Sequence, residues 1–367
     1  MASVSFNHRL SVREEWTRAR LVVAEGIPDG WDDLVEGAPP TVSERWIGIS
    51  PRLPGYRTFA LVHDGRPLVA VGGGVAEGVL ENTRLDPWHI LSGRSVGHGL
   101  VPDGPHPWRG LEPADVFPCG VFMFPHYELL PVGPAAAAPA AGAALVRALL
   151  DWAADERLRS VSFLYLRPEA QPLVAALRDE GGEVVDLIAR CDLEVAWDDF
   201  EGYLGSLSLQ NRGNARRELR KLAARGVEIG SRGIREHEPE LVELRCKLAA
   251  KYDGRPDAGK EAAVLERFRA SFAPEELTLF TAERGGKLLC FSLFVRDGTH
   301  WTAYSGAADY DDPASRFAYF ATHFYRPLGL AASLGIRTVG YGLGSVEAKR
   351  RRGCRLTPLL AAGRLIS

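Results

Sequence analysis

The chain has 367 residues and a mass of 40.0 kDa, a length that predicts two or three domains, with two as the simpler arrangement. Its 46% hydrophobic and 25% charged residues and its formal net charge of −3 are typical of globular proteins and argue against a disordered or fibrous chain. No apolar run is long enough to span a membrane, and "MASVSFNHRLSVREEWTRAR" lacks an apolar signal core, which predicts a cytoplasmic protein. The five cysteines stand singly without CxxC spacing, so neither a disulfide framework nor a zinc site is indicated.

The first half reads as strands, a long loop, and then alternating strands and helices. Two apolar runs flank Asp64-Gly65, which is a strong hairpin signal. Residues 81–112 are rich in Gly, Pro and His and predict a long loop, whose His89, His98 and His106 match no metal motif, so we assign no metal. The segments that follow predict, in order, a strand, an Ala-rich helix, a buried strand, a helix and a strand: "VFMFPHYELLPV", "AAGAALVRALLDWAADERL", "SVSFLYL", "EAQPLVAALRDEGG" and "IARCDLEVAW".

The second half repeats this order after a basic segment, "SLSLQNRGNARRELRKLAARG". Two predicted helices precede the strands of "LTLFTAERGGKLLCFSLFVRDGTHWTAYSGAAD", and a long helix, "SRFAYFATHFYRPLGLAASLG", ends at Gly335. A strand, "RTVGYGL", and a short basic helix, "SVEAKRRRG", complete the pattern. Hairpins, a helix, a strand and a helix in both halves predict two α+β domains, residues 1–197 and 198–367, with the boundary near Trp197 to Phe200.

Helical spacing arranges the basic segment into a cationic face. At 100° per residue, six cations form two adjacent rows: Arg212, Arg216 and Arg220, and Arg217, Lys221 and Arg225. The opposite side is a narrow apolar strip made of Ala215, Leu219, Leu222 and Ala223. Such a face suits binding of a phosphate backbone, although a solvated helix partly paired with Glu218 is the ordinary alternative. A second cationic cluster, Lys349 to Arg352, follows near the end of the chain.

Three pieces of the second half together resemble one family: "SLQNRGNARRELRKLAARGVEI", "LFVRDGTHWTAYSGAADYDDPASRFAYFATHFYRPLGLAASLGIRTVGYGLG" and "EAKRRRGCRL". They resemble the tandem-GNAT (Gcn5-related N-acetyltransferase) proteins of the Fem and "peptidoglycan biosynthesis" type. The resemblance implies two tandem GNAT-like domains, each a mixed, mostly antiparallel sheet flanked by helices. It also implies acyl transfer to the amine of a small molecule or peptide, such as a secondary metabolite or a cell-wall precursor. The donor is either aminoacyl-tRNA, a co-substrate that needs no further cofactor, or an acyl-coenzyme A; a binding protein that has lost transfer is a further alternative.

The turn "ADYDDPASR" bears on the donor, because a coenzyme A pyrophosphate would dock at the helix start that follows it. Asp309, Asp311 and Asp312 would repel a polyanion there, and Arg316 is the only cation nearby in the sequence. Capping of the helix by Asp312 or Ser315 is the ordinary explanation of these residues; it is compatible with repulsion, and both disfavour a pyrophosphate at this helix. The corresponding turn in the first half contains no cation, so aminoacyl-tRNA is the favoured donor. The residues expected to bind tRNA are Arg212, Arg216, Arg217, Arg220, Lys221, Arg225, Arg350, Arg351 and Arg352.

Five residues are candidates for the chemistry, since amide formation requires a neutral amine, a stabilised oxyanion and a protonated leaving group. The resemblance associates Lys349 with stabilising the developing charge. Tyr304, Asp309 and Tyr310 lie at the end of a predicted core strand, and Tyr341 lies on the next strand. The alternatives are an exposed lysine in a basic run, a turn or cap aspartate, and a core tyrosine with a satisfied hydroxyl.

Overall fold

A computed structural model of the protein describes residues 16, 18–50, 52–94, 105–252 and 255–366. The chain divides into two compact units, Met1–Ile188 with Pro358–Ser367, and Ala189–Thr357. The chain passes from the first unit to the second after residue 188 and returns to the first unit after residue 357. The predicted boundary near residue 197 lies shortly after the first of these two points. His98 lies outside the described residues.

The first unit contains a sheet of mixed direction. Its strands are β1 (Arg20–Glu25), β2 (Arg57–His63), β3 (Arg66–Ala76), β4 (Cys119–Phe122), β5 (Ser160–Leu166), the start of β6 (Glu183–Glu194) and most of β12 (Arg355–Leu365). Its described α-helices are α1 (Trp31–Leu34), α2 (Glu44–Ile49), α3 (Pro87–Leu91), α4 (Pro113–Val116), α5 (Pro139–Asp155) and α6 (Gln171–Asp179). The strand order is β1-β2-β3-β4-β5-β12, antiparallel except for the parallel pair β4 and β5.

The hairpin between β2 and β3 confirms the turn predicted at Asp64-Gly65. His63 pairs with Arg66, and the two central residues have φ values of 48° and 77°. A two-residue turn with both φ values positive matches the right-handed twist of the strands, and glycine adopts it without steric cost.

The second unit contains the end of β6 followed by β7 (Glu228–Arg232), β8 (Leu277–Arg284), β9 (Lys287–Asp297), β10 (His300–Ala308) and β11 (Thr338–Gly342). Its described α-helices are α7 (Phe200–Ser206), α8 (Leu209–Ala223), α9 (Pro239–Tyr252), α10 (Ala258–Ser271), α11 (Ala318–Phe320), α12 (Arg326–Leu330) and α13 (Val346–Arg350). The strand order is β6-β11-β10-β9-β8-β7, and within it only β10 and β11 are parallel. Each unit is therefore an α+β fold with a mixed, mostly antiparallel sheet, as predicted.

The parallel pair of the second unit separates partway along its length. Pairing of β10 with β11 covers His300 to Thr302, and a bulge follows between Ala303 and Ser305. Beyond it β10 continues against β9, whereas β11 ends at Gly342. The carboxyl ends of parallel strands are a common place for ligands, so this part of the sheet positions the candidate site.

The predicted long helix after β10 is present but changes its hydrogen-bond pattern. It begins as a 3₁₀ turn, Pro313–Phe317, continues through α11, forms a π-helical segment at Ala321–Tyr325, and ends as α12. Pro327 lacks the N–H that an α-helix would place on the carbonyl of His323, and this missing bond explains the irregularity at that point. No helix in the described part of the chain combines the length and apolar character needed to cross a bilayer.

Candidate functional site

Helix α8 carries the basic segment and is held by a thin apolar edge, as its spacing predicted. Ser208 caps its N-terminus, and the Ser208 Oγ accepts a hydrogen bond from the Asn211 amide at 3.3 Å. Ala215 and Leu222 are its buried residues, Leu219 is half-buried and Ala223 is exposed. The apolar strip is therefore narrower than predicted, and most of the helix surface faces solvent.

The cations of α8 are not equivalent. Arg212 is half-buried, and its guanidinium donates to the carbonyl oxygens of Leu204 and Gly205, both at 2.9 Å, so it stabilises the end of α7. Arg216 is exposed and forms an ion pair with Glu201. The remaining cations of the two rows are also exposed: Arg217, Arg220, Lys221 and Arg225. Helix α8 and the turn after it therefore present an exposed cationic surface, and Arg212 does not contribute to it because its guanidinium is bonded to backbone carbonyls.

The second basic cluster, Lys349 to Arg352, also contains both exposed and buried cations. Arg350 and Arg351 are exposed, and each forms an ion pair with Glu347 at 2.8 Å. Arg352 is buried; its guanidinium carbon lies 3.4 Å from the centroid of the Phe320 ring, and one nitrogen lies 3.2 Å from Glu218. Arg352 is therefore largely buried, and of the four cations from Lys349 to Arg352 only Arg350 and Arg351 are exposed.

The fold brings residues of both basic segments to one cleft. The sequence alone did not show whether the two segments lie close together. We call this space the α8/α13 cleft; its volume is about 400 Å³. It is lined by Leu207, Asn211, Asn214, Glu218, Phe320, Tyr325, Glu347, Ala348, Arg351 and Arg352. Two carboxylates and two guanidinium groups balance each other in this lining, so the cleft is formally neutral while exposed cations flank it on α8 and α13.

Lys349 is a buried ammonium group rather than an exposed lysine of a basic run. It is 5% exposed, and Nζ donates to the carbonyl oxygens of Tyr341 at 2.6 Å and Leu343 at 2.8 Å. A third carbonyl, that of Gly342, lies at 3.3 Å. Lys349 thus fixes the turn at the end of β11, and this turn contains glycines with positive φ at 342 and 344.

The three candidate tyrosines lie in different environments. Tyr304 lies at the β10 bulge, 4.3 Å from the Phe268 ring, and Tyr310 is exposed with Lys251 Nζ 3.8 Å from its ring centroid. Tyr341 is buried and stacks on Phe324 at 4.5 Å; burial raises the pKa of its hydroxyl well above the usual value. Its hydroxyl has no hydrogen-bond partner among the described residues, which differs from the satisfied core tyrosine that the sequence suggested.

A second cleft surrounds the aspartate-rich turn after β10. We call it the β10-turn cleft; its volume is about 510 Å³. It is lined by Arg225, Lys247, Arg284, Lys287, Asp309, Asp311, Asp312, Pro313 and Ala314. Of the five residues proposed for chemistry, only Asp309 lines either cleft.

Asp309 is the centre of the β10-turn cleft. It is 2% exposed, and its two carboxylate oxygens accept hydrogen bonds from Lys247 at 2.8 Å and Lys287 at 2.7 Å. Burial alone would raise the pKa of this carboxyl group, but the hydrogen bonds and charges of the two lysines outweigh it and lower the pKa to about 2. Asp309 is therefore ionised at neutral pH and has no proton to donate there.

The structure corrects the charge assigned to this turn. Arg316 is not the only nearby cation, since Lys247 and Lys287 hold Asp309, and Arg284 pairs with Asp312 at 2.7 Å. Arg225 also reaches the turn, donating to the Pro313 carbonyl at 2.6 Å. These four cations come from the turn after α8, from α9 and from the β8/β9 hairpin, all distant from the turn in the sequence, so the sequence alone did not indicate that they lie beside it. With four cations and three carboxylates, the lining does not repel a phosphate group as the sequence suggested.

The capping alternative for this turn is confirmed. Asp312 accepts a hydrogen bond from the Ala314 amide at 2.8 Å, and the Ser315 hydroxyl donates to the Asp309 and Asp312 carbonyls. No group of three potential metal-ligand side chains occurs within the described residues.

The Asp309 ion pairs predict a defined pH dependence of stability. Because the folded-state pKa is lower than the unfolded one, the contribution is present at neutral pH and is lost as pH falls from about 4 to about 2. We expect Asp309→Asn to lower the free energy of unfolding by about 1–2 kcal/mol at pH 7, a value reduced because Lys287 is largely solvated. Denaturant titrations at pH 7 and pH 2.5 measure this, and a difference that does not shrink at the lower pH contradicts the assignment.

Comparisons with known proteins agree with this architecture. The FemAB-like family, described as peptidoglycan biosynthesis/recognition, matches residues 129–366. FemX aligns with a TM-score of 0.54 and 10% identity over 90% of this chain and 94% of that chain. L-PGS from Bacillus licheniformis aligns with a TM-score of 0.52 and 11% identity over 93% of both chains. No curated protein sequence matches significantly.

The family match covers more than half of the chain, so the protein belongs to the FemAB-like family. The recognition of a Fem-type protein and the predicted fold of two tandem GNAT-like domains are confirmed. Membership also supports the predicted class, an acyltransferase.

Proposed function

We propose that the protein transfers an amino acid from aminoacyl-tRNA to the amine of a small-molecule or peptide acceptor. The observation that carries this proposal is the exposed cationic surface of α8, which lies beside the formally neutral α8/α13 cleft, with the exposed Arg350 on α13. Phosphate backbones are bound by such surfaces, and aminoacyl-tRNA combines a phosphate backbone with an activated ester. The cytoplasm, where charged tRNA occurs, is the compartment that this proposal requires.

The reaction is an aminolysis of an ester. The acceptor nitrogen attacks the ester carbonyl carbon, a C–N bond forms, the ester C–O bond breaks, and the ribose hydroxyl leaves with a proton. We propose that Lys349 acts by holding the turn after β11, and that Asp309, the one candidate that lines a cleft, meets the acceptor amine there. The acceptor is a cell-wall precursor or a secondary metabolite in this proposal.

An acyl-coenzyme A donor is the second candidate, and one observation favours it. Lys247, Arg284 and Lys287 lie at the start of the helical segment after β10, and this position suits a pyrophosphate better than the sequence indicated. Three carboxylates in the same lining still reduce the attraction for a polyanion. Aminoacyl-tRNA therefore remains the preferred donor.

One transfer assay separates the two donors. The purified protein is incubated with a pool of radiolabelled aminoacyl-tRNA and a cell extract as the source of acceptors, with and without ribonuclease, and in parallel with labelled acetyl-coenzyme A. We expect an amide product from the tRNA pool that disappears when ribonuclease is added first. Transfer from the thioester alone would contradict the proposal, and transfer from neither would favour a binding protein.

A further inference from the structure

The α8/α13 cleft differs from the cationic surfaces beside it because its own lining carries no net charge. Glu218 and Glu347 balance Arg351 and Arg352, whereas Arg216 and Arg217 lie outside the lining on α8. A phosphate group gains nothing from a neutral space. A neutral polar group attached to phosphates, by contrast, fits a neutral cleft with cations on both sides.

The cleft presents hydrogen-bonding groups that the protein itself does not use. Glu218 accepts from the Tyr325 hydroxyl and from Arg352 through the same oxygen, Oε2, which leaves Oε1 without a partner among the described residues. Asn214 uses Oδ1 to accept from Arg217, and its amide NH₂ group has no described partner. The Asn211 side chain likewise makes no hydrogen bond with any described residue, so donors and acceptors both line the space.

Flat groups complete the lining. The Arg352 guanidinium and the Phe320 ring stack at 3.4 Å, and the Nε atom of Arg352 is buried without a hydrogen-bond partner among the described residues. In protein complexes, unpaired bases stack on aromatic rings or guanidinium planes and form hydrogen bonds along their polar edges. The cleft offers both kinds of group, since planar side chains lie next to unbonded amide and carboxylate groups.

We propose that the α8/α13 cleft binds the base of one unpaired nucleotide of the RNA, with the adjoining phosphates on the exposed Arg216 and Arg217 of α8 and Arg350 of α13. The inference rests on the proposed use of aminoacyl-tRNA and names the part of that RNA which enters the protein. Asn211 is the residue best placed to read the base, because a carboxamide pairs with a base edge through one donor and one acceptor.

The test compares two RNAs and two variants of the full chain. The RNAs are a labelled tRNA with an intact unpaired 3′ end and the same tRNA trimmed back to its last base pair. The variants are Asn211→Leu, which removes the carboxamide from the cleft, and Gln210→Leu, which removes an exposed carboxamide from the same helix outside the cleft lining. Binding is measured over a range of salt concentrations, and thermal unfolding confirms that both variants fold.

We expect Asn211→Leu to weaken binding of the intact tRNA about tenfold and to leave binding of the trimmed tRNA and the salt dependence unchanged. Gln210→Leu should change neither affinity. The inference is overturned if Asn211→Leu weakens both RNAs equally, or neither, while the wild-type chain binds both. If the wild-type chain binds neither RNA, the proposed function itself fails, so the two failures are distinguishable.

Discussion

Replacing Arg216, Arg217 and Arg220 with glutamate should abolish binding of tRNA. Each of the three side chains is exposed on α8, and the change converts three positive charges into three negative ones on one face of a helix. Loss of three phosphate contacts at about 0.1 M salt predicts a fall in affinity of roughly 100- to 1,000-fold and a decrease of about 3 in the slope of log K against log salt. Fluorescence anisotropy with labelled tRNA measures both quantities.

A matched control separates this local effect from a general effect of net charge. Arg235, Lys260 and Arg267 are exposed cations of the same unit that line neither cleft, and their replacement with glutamate changes the net charge by the same amount. This control variant should keep most of the affinity. Equal losses in the two triple variants, or unchanged binding in the α8 variant, would remove the role assigned to the helix.

Lys349→Met should strongly destabilise the second unit and reduce transfer with it. Methionine keeps the length and apolar stem of the side chain but supplies no donor, so the carbonyl groups of Tyr341 and Leu343 lose their partner in a buried site. Hydrogen bonds from charged groups and unsatisfied buried acceptors together predict a loss of about 2–4 kcal/mol in the free energy of unfolding. Denaturant titration and the tRNA transfer assay are the two measurements.

Arg355→Met is the control for this variant, since Arg355 is exposed close to the same segment, lines neither cleft, and its replacement should change stability by less than about 0.5 kcal/mol and leave transfer unchanged. Unchanged stability together with lost transfer in Lys349→Met would show that Nζ acts on the substrate directly. If stability and transfer both stay unchanged, neither role applies to this lysine.

The cationic face of α8 was predictable because it depends only on residues within one helix. Spacing identified which arginines share a side, and the described structure agrees except at Arg212, whose carbonyl partners belong to α7. The Asp64-Gly65 turn was predictable for the same reason, since a two-residue hairpin is a local structure.

The sites could not be derived in the same way, because their charges are balanced by residues distant in sequence. The sequence predicted that Asp309 would repel anions, but Lys247 and Lys287 neutralise it in the structure. The sequence placed Arg352 in a cationic cluster expected to bind tRNA, but Phe320 and Glu218 cover it. Tertiary packing decides which charges of a basic or acidic run remain available, and a single sequence carries no direct signal of that packing.

The return of β12 to the first unit has a consequence for how the chain is made. Residues 360–365 pair with β5, although residues 189–357 form a separate compact unit between them in the sequence. A ribosome therefore releases every other strand of the first unit long before the last one, and that unit completes its sheet only after the second has been synthesised. A chain cut after residue 357 leaves the edge of β5 without this partner, and an unpaired strand edge is a site for aggregation.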